Sequence, residues 1–562
     1  MSCDVLVIGS GAGGMSAAVT AAARGLKVIV LEKEPTFGGA AAWSGGWMWL
    51  PGNRFAVEAG FHDAPEGPMT YLRNELGNHF DEKRVAAFLN TTPDAVDFFQ
   101  TKTALQFVEG NGIPDIHGNT PGAALGGHQL CAAPINGRKL GSLFTRLRRP
   151  MQETSFLGMP IMAGADLAAF MNVTRSAKAF LHVAKRFSRH LIDLALFGRA
   201  TQLVNGNALM ARLGLSAVNF GVDIRTSVNV KNLVFENGGV TGATIEEAGK
   251  TVSISARIGT VLATGGFAHD KQRWLELCGN TPIGTKHFSV VPTSVSGDGL
   301  RLGETVGAKF DTSLASQAAW APVSLVPHKD GSFGRFPHII ERAKPGLIAV
   351  LPSGKRFVNE AHGYYDFVTA MIHETPPNQE VVSWLVCTRA FQRRYGFGIS
   401  RPTPLPVAPF IKSGYIKTGR TIAELARACG INAAVLQQTL HDYNESAKKG
   451  EDPAFGKGST PFNRKGGDAN VKPNPCLAPI ENGPFYAIQV VPGSFGTFMG
   501  LATDEHTRVL DANGAAIPKL FAVGADMASI MGGFYPSGGI NLGPALTFGY
   551  IAGSYLANQA GK

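Results

Sequence analysis

The sequence predicts an α/β chain: a parallel sheet entered through a glycine-rich turn and interrupted by an inserted α+β unit. Three observations predict it. Val5 to Ile8 is a short, apolar, β-branched run that reads as a buried parallel strand, stops at Gly9, Gly11 and Gly14, and leads straight into an Ala-rich helix from Met15 to Arg24. A second strand, Lys27 to Leu31, ends on an acid, Glu32, about 20 residues on. From about 282 to 483 the chain changes character, with more Pro, more loops and mixed patterns, before strand-and-glycine segments return. Gly9 allows a tight turn, Gly11 lets the backbone of Gly11, Ala12 and Gly13 approach a pyrophosphate, and Gly14 lets the helix pack close to the strand. A carboxylate at Glu32, with Lys33 beside it, suits the two hydroxyls of an adenosine ribose. Strand, helix, second strand and acid together predict a Rossmann-type dinucleotide site.

The next residues distinguish the dinucleotides. Gly38-Gly39, then Ala40-Ala41-Ala42-Trp43 and Ser44-Gly45-Gly46, let the backbone run along a long, flat ligand with amides free to bond it. This layout resembles the flavoproteins of the fumarate reductase and succinate dehydrogenase superfamily, which implies FAD. Members with covalent flavin carry a His just before the second Gly cluster; Ala40 to Trp43 offers none, so FAD is expected to be held without a covalent bond.

Length and composition set the bounds. At 562 residues the chain can bury large cores without staples, and 69 glycines suit a fold with many backbone-to-cofactor approaches. The six cysteines include no CxxC pair, which argues against a disulfide framework, a zinc site or an iron–sulfur cluster, so no metal is expected. No basic-then-apolar leader precedes the first strand, and no apolar run reaches the ~18 residues of a spanning helix. A cytoplasmic protein is therefore expected. The net charge of +10 is concentrated: between Arg138 and Arg199 eleven Lys and Arg face only Glu153, Asp166 and Asp193. One specialised surface explains this better than nucleic-acid binding. From Val173 to Phe197 the apolar positions, among them Phe180, Leu181, Phe187 and Leu191, follow a helical period, with Lys178, His182, Lys185 and Arg189 on another face. Two readings stand: a surface helix packed on its own domain, or a basic amphipathic helix on an anionic membrane, which would put the protein at the inner face.

Along the chain, Thr92 and Pro93 read as the cap and first position of a helix. Val204 begins another helix. Residues 222 to 262 alternate in period two, a β-meander that includes Val230. It ends in Ala263-Thr264-Gly265-Gly266, which resembles the superfamily's return to the flavin. Residues 1–281 are thus the first part of the cofactor domain, with a helical basic insertion at about 138–200. Residues 282–483 form a substrate-covering domain, and 484–562 complete the cofactor domain. In that last part a strand closes on Gly524 and Asp526, where relatives place a residue bonding the ribityl chain. A Gly-rich turn through Tyr535, Ser537, Gly539, Asn541 and Leu542 then opens a helix whose N-terminus should face the flavin. With no second GxGxxG, the expected electron partner is a quinone or another non-nicotinamide acceptor.

Dicarboxylate enzymes of the superfamily place an Arg proton donor after Gly-Lys-Arg-Phe-Val-Asn-Glu. This chain has that segment at Gly354 to Glu360, but Tyr364 stands where the Arg would be, and Tyr535-Pro-Ser-Gly-Gly replaces the second cationic site. A carboxylate bound at these positions would lack a bidentate partner. Both departures resemble the 3-ketosteroid dehydrogenases, chiefly the Δ1 type, over nearly the whole chain. That resemblance implies Tyr364 as base, Tyr535 and Gly539 as donors to the ketone oxygen, and an apolar cyclic ketone as substrate. A further Tyr that supports the base in that family has no match near Gly110 to Gly118; His117 or Tyr365 is the candidate stand-in. Ser537 resembles the Δ4-(5α) type, in which a Ser helps bind the ketone. Rival readings are that desaturation, a smaller cyclic ketone, a fumarate-type ene reductase, and a membrane-surface flavin electron carrier.

Overall fold

The structure, a computed structural model, describes residues 1–561 apart from 65, 111, 248, 280–282 and 285. Its organising strand is Ser2–Ile8, whose Val5, Leu6 and Val7 are completely buried, as a strand covered on both faces requires. It pairs in parallel with Val28–Leu31 on one side and with the second half of Lys250–Leu262 on the other. Asp223–Arg225 and Ala516–Ala522 extend the parallel sheet, and Arg508–Leu510 closes one edge antiparallel. The first half of Lys250–Leu262 instead joins Gly239–Glu247 and Asn229–Glu236 in the expected meander.

The Ala12–Ala22 helix is buried along its whole length. Its cover is the last helix, Leu542–Ala560, which approaches so closely that a Cβ on Gly549 would lie 2.6 Å from the Gly13 carbonyl. One on Gly553 would lie 2.7 Å from that of Ala17. Chain start and chain end thus form one layer over the sheet, and the turn preceding each helix faces the same cavity.

The second sheet is antiparallel. Phe485–Thr497 lies at its centre between Ala318–Pro327 and Ser383–Thr388, with Phe333–Pro337 and Leu347–Val350 outside them and Lys417–Gly419 also paired to the central strand. This corrects the expected return to the cofactor domain at 484. Residues 485–497 begin as an apolar run and close on Gly and Thr like a cofactor-domain strand, yet their partners are the strands of the insertion. The expected boundary at 281/282 lies outside the described residues.

Two local expectations also change. Thr92 and Pro93 do not start a helix but sit inside Glu82–Lys102, which Asp81 caps by accepting from the Arg84 amide at 3.2 Å. The Thr92 hydroxyl donates to the Phe88 carbonyl at 2.7 Å. Nor is the basic stretch one cationic surface. Arg199 is buried and donates to the Phe144 and Leu147 carbonyls at 2.9 Å, and Arg186 pairs with Asp166 at 3.1 Å. In the Ala177–Phe197 helix the buried face is polar: Asp193 accepts from the amide and hydroxyl of Thr201, and His190 bonds the Leu157 carbonyl. Those anchors turn Phe180, Leu181, Ile192 and Leu196 outward, each more than half exposed. Among the described residues no helix is long and apolar enough to cross a membrane.

Candidate active site

A single cavity of about 590 Å³ runs from Glu32 and Lys33, past Gly11 to Gly13, Ser44 to Gly46 and Gly524, to Tyr364, Tyr535 and Gly539 under the inserted domain. The glycine turn divides its labour. A Cβ on Gly9 would meet the Ala263 carbonyl, and one on Gly14 the Gly9 carbonyl, so both are needed by the protein's own packing. A Cβ on Gly11 would meet nothing within 4 Å and would project into open cavity. The helix N-terminus there, with Ala12 and Gly13 lining the space, is a phosphate cradle, and these residues fit FAD. Glu32 accepts from the Ser10 hydroxyl at 2.5 Å and the Glu34 amide at 2.9 Å, and that hydroxyl accepts from the Gly38 amide at 3.0 Å, which ties the first turn to the Gly38-Gly39 pair. Lys33 pairs with Asp298.

Further along, Ser44 donates to the Ala41 carbonyl at 2.7 Å and accepts from the Gly46 amide at 3.1 Å, which shapes the second Gly cluster. The Asn205–Asn219 helix begins against that cluster, with Gly206 donating to the Ser44 carbonyl. Asn205 and Asn207 line the cavity beside Ala41, Ser44, Gly45 and Gly46, a contribution the sequence motif did not announce. Val230, Ala263, Thr264, Gly265, Gly524, Asn541 and Leu542 also line it as expected. Gly14, Gly38 and Gly266 do not; they permit close backbone packing behind the wall. Asp526 takes a different task from the one expected. Its buried carboxylate accepts from the Thr264 amide and hydroxyl and from the Gly266 amide at 2.8 Å, so it fixes that turn from behind. Burial raises its pKa against those bonds.

At the far end the Tyr364 and Tyr535 rings meet edge to face, with centroids 4.8 Å apart, and Phe495 stands across Tyr364 at 5.1 Å. Burial raises both phenols' pKa values, but unequally. For Tyr364 the Tyr535 hydroxyl and the Arg342 charge oppose the rise; for Tyr535 an ionised Tyr364 adds to it. Gly539 has its carbonyl bonded by the Trp49 and Gly543 amides at 3.1 and 2.9 Å, while its own amide has no acceptor among the described residues.

The three assisting candidates lie elsewhere. His117 bridges Glu75 at 2.5 Å and Asp366 at 3.2 Å, away from the Tyr364 hydroxyl, so it positions the start of the Tyr364–His373 helix. Tyr365, the next residue on that helix, points instead to Phe498 and Phe534. Ser537 is fully buried, accepts from Gln129 at 2.8 Å and is not among the residues lining the cavity. Sequence reasoning missed Arg342, whose guanidinium donates to the Glu360 and His338 carbonyls at 2.7 Å and supplies the positive charge near Tyr364.

The family described as FAD binding domain matches residues 4–542. The chain belongs to this flavoprotein family. Within it, the chain is 40% identical over 562 residues to the 4-oxocyclohex-2-ene-1-carboxylate 5-dehydrogenase of Sinomonas cyclohexanicum, covering all of this chain and 94% of the relative. It is 34% identical to the 3-oxosteroid 1-dehydrogenase of Mycobacterium tuberculosis over all of this chain and 99% of that one. The structure of 3-ketosteroid delta1-dehydrogenase from Sterolibacterium denitrificans in complex with 1,4-androstadiene-3,17-dione superposes with a TM-score of 0.91 at 33% identity, covering 99% of this chain and 100% of that one. This family member is an FAD-dependent oxidoreductase of the CH–CH type.

Two outcomes test the site. Gly11→Val should leave a folded protein that has lost its flavin absorbance, whereas Gly14→Val should prevent folding; retention of flavin by Gly11→Val would contradict the cradle. His117 yields a pH dependence. Burial would lower its pKa, but Asp366 and Glu75 carry it up to about 10, above the unfolded value of ~6.5. Its stabilisation is complete below about pH 6.5 and is lost as pH rises through about 10. In urea titrations His117→Gln should therefore cost more at about pH 6 than at about pH 10.5; equal costs would deny the bridge.

Proposed function

We propose that the protein introduces a carbon–carbon double bond next to the carbonyl of a ring ketone. The observation that carries this reading is the Tyr364–Tyr535 pair, meeting edge to face on the cavity wall that also carries the Gly539 amide, free to donate. Tyr535 and the Gly539 amide hold the carbonyl oxygen and stabilise the negative charge that develops on it, which acidifies the neighbouring C–H. Tyr364 takes that proton; burial raises its pKa above the phenol reference of ~10, and the Tyr535 hydroxyl and the Arg342 charge oppose that rise. FAD bound in the cavity supplies the two-electron acceptor. Phe336, Phe397, Phe495, Ile339 and Ile340 give the substrate end apolar walls suited to a ring and exclude water from the proton transfer. The relatives supply both ring-ketone classes, 3-ketosteroids and oxocyclohexene carboxylates. The proposed acceptor that reoxidises the enzyme is a quinone or another non-nicotinamide oxidant.

The outward apolar residues of Ala177–Phe197 support a second element of the proposal, contact with a membrane surface. The Ala165–Met171 helix, which packs beside them, supplies Leu167 and Met171 to the cavity wall, so an apolar substrate would enter from the lipid side.

Anaerobic addition of androst-4-ene-3,17-dione or 4-oxocyclohex-2-ene-1-carboxylate should bleach the flavin. Tyr364→Phe should keep the flavin while turnover falls by about 10²- to 10⁴-fold, and wild-type rates should climb toward alkaline pH as Tyr364 ionises. Undiminished turnover of Tyr364→Phe would remove it as base. Separately, the protein should sediment with anionic vesicles, and the double variant Phe180→Ser, Leu181→Ser should weaken this; sedimentation unchanged by that variant would exclude the helix.

A further inference from the structure

We infer that Arg401 anchors a carboxylate carried by the ring substrate, so that the protein selects acidic ring ketones over neutral ones. The inference rests on the ring-ketone reading above and narrows it. In the cavity, Lys33 and Arg148 lie near the acids Glu32, Glu34 and Asp298, whereas the inserted domain contributes Lys344, Arg401 and one carboxylate, Glu341. Glu341 has its charge matched already, bonded to His338 at 2.6 Å and next to Arg342. Lys344 donates to the Gly467 carbonyl at 2.7 Å.

Arg401 differs from these. Its Nη2 donates to the carbonyls of Glu153 and Ser155 at 3.4 and 3.2 Å, while the Glu153 carboxylate itself turns to His328 at 3.1 Å. Among the described residues no carboxylate lies at ion-pair distance from Arg401, and its Nε and Nη1 have no protein acceptor. Burial weighs against the Arg401 charge and Glu341 acts on it only through space, without a bonded pair, so its open Nε and Nη1 suit a carboxylate brought by a ligand. Its geometry is also fixed in advance. Phe397 and Ser400 exchange backbone bonds at 2.8 and 3.0 Å, and Gln392 donates to the Ser400 hydroxyl and the Arg401 carbonyl, both at 3.0 Å. This loop holds the arginine against the same cavity that Tyr364 and Tyr535 line. A fused, uncharged ring system leaves Arg401 unmatched; a ring ketone bearing a carboxylate satisfies both ends.

The test uses the holoenzyme with 4-oxocyclohexane-1-carboxylate, its methyl ester and androst-4-ene-3,17-dione. Wild type should favour the acid over the ester in kcat/KM by about 10- to 100-fold, mostly through KM, and R401Q should erase that preference while Arg401→Lys keeps part of it. A wild type indifferent to acid or ester, or an R401Q protein with the preference intact, would overturn the inference. If no ketone is turned over, the ring-ketone reading fails by itself. The anchor is then judged by equilibrium binding of cyclohexanecarboxylate against cyclohexanecarboxamide. A preference for the acid that R401Q abolishes supports it, and no preference overturns it.

Discussion

The site depends on a buried ion-pair cluster that fixes where Tyr364 stands. Arg356 makes a two-pronged contact with Glu360 at 2.8 and 2.9 Å and a second with Asp452 at 2.7 and 2.9 Å. Lys457, also buried, lies 3.5 Å from Glu360 and donates to the Leu347 carbonyl. Burial alone would make each charge expensive, and removing one partner of such a cluster costs about 3–5 kcal/mol. The cluster is nearly saturated with hydrogen bonds, so it gives one geometry rather than several. It lies in the segment immediately before the Tyr364–His373 helix, and Arg342 grips the Glu360 carbonyl from the other side. The Gly354 to Glu360 motif is therefore a mooring for Tyr364, the base of the proposed reaction.

The other tyrosine is moored through its neighbour. The Pro536 carbonyl accepts from the Tyr71 hydroxyl at 2.7 Å and from the Ile116 amide at 3.1 Å. The same loop carries Asp115, which holds Trp49, and His117, which reaches Asp366 on the helix of Tyr364. One loop of the cofactor domain thus sets both phenols, although it touches neither hydroxyl. Behind Tyr364 stands a charge, Arg342, held by the His338 and Glu360 carbonyls.

How much of this the sequence revealed follows from range. The glycine turn, Glu32, the second Gly cluster and the strand into Thr264 were legible because each is set by backbone needs within a few residues. Tyr364 and Tyr535 were legible as types at motif positions, through resemblance, but their meeting rests on contacts between segments 171 residues apart in sequence. Asp526 and Ser537 misled for the converse reason. Each sits in a motif that reads as ligand-facing, yet long-range partners, Thr264 and Gly266 for one and Gln129 for the other, claim its polar atoms. The Phe485–Thr497 strand has the pattern of either sheet, and pattern alone does not choose a partner. The outward apolar face of Ala177–Phe197 was hidden because periodicity finds the stripe but not which side the buried Asp193 and His190 will occupy.

The cations of this cavity divide by what answers them. Lys33 and Arg148 are answered by protein carboxylates, Lys344 by a carbonyl and Arg401 by two long bonds to carbonyls, while Arg342, behind the wall, is held by carbonyls. A site that ran proton transfer through an arginine would need its cation at the reacting carbon, where it would also stabilise the substrate's ground state. In the proposed reaction, placing the Arg342 charge behind Tyr364 instead lets a neutral, apolar surface meet the ring while that charge opposes the rise that burial gives the phenol's pKa. That separation of charge from contact leaves Arg401, whose bonds to carbonyls are long, for the recognition inferred above.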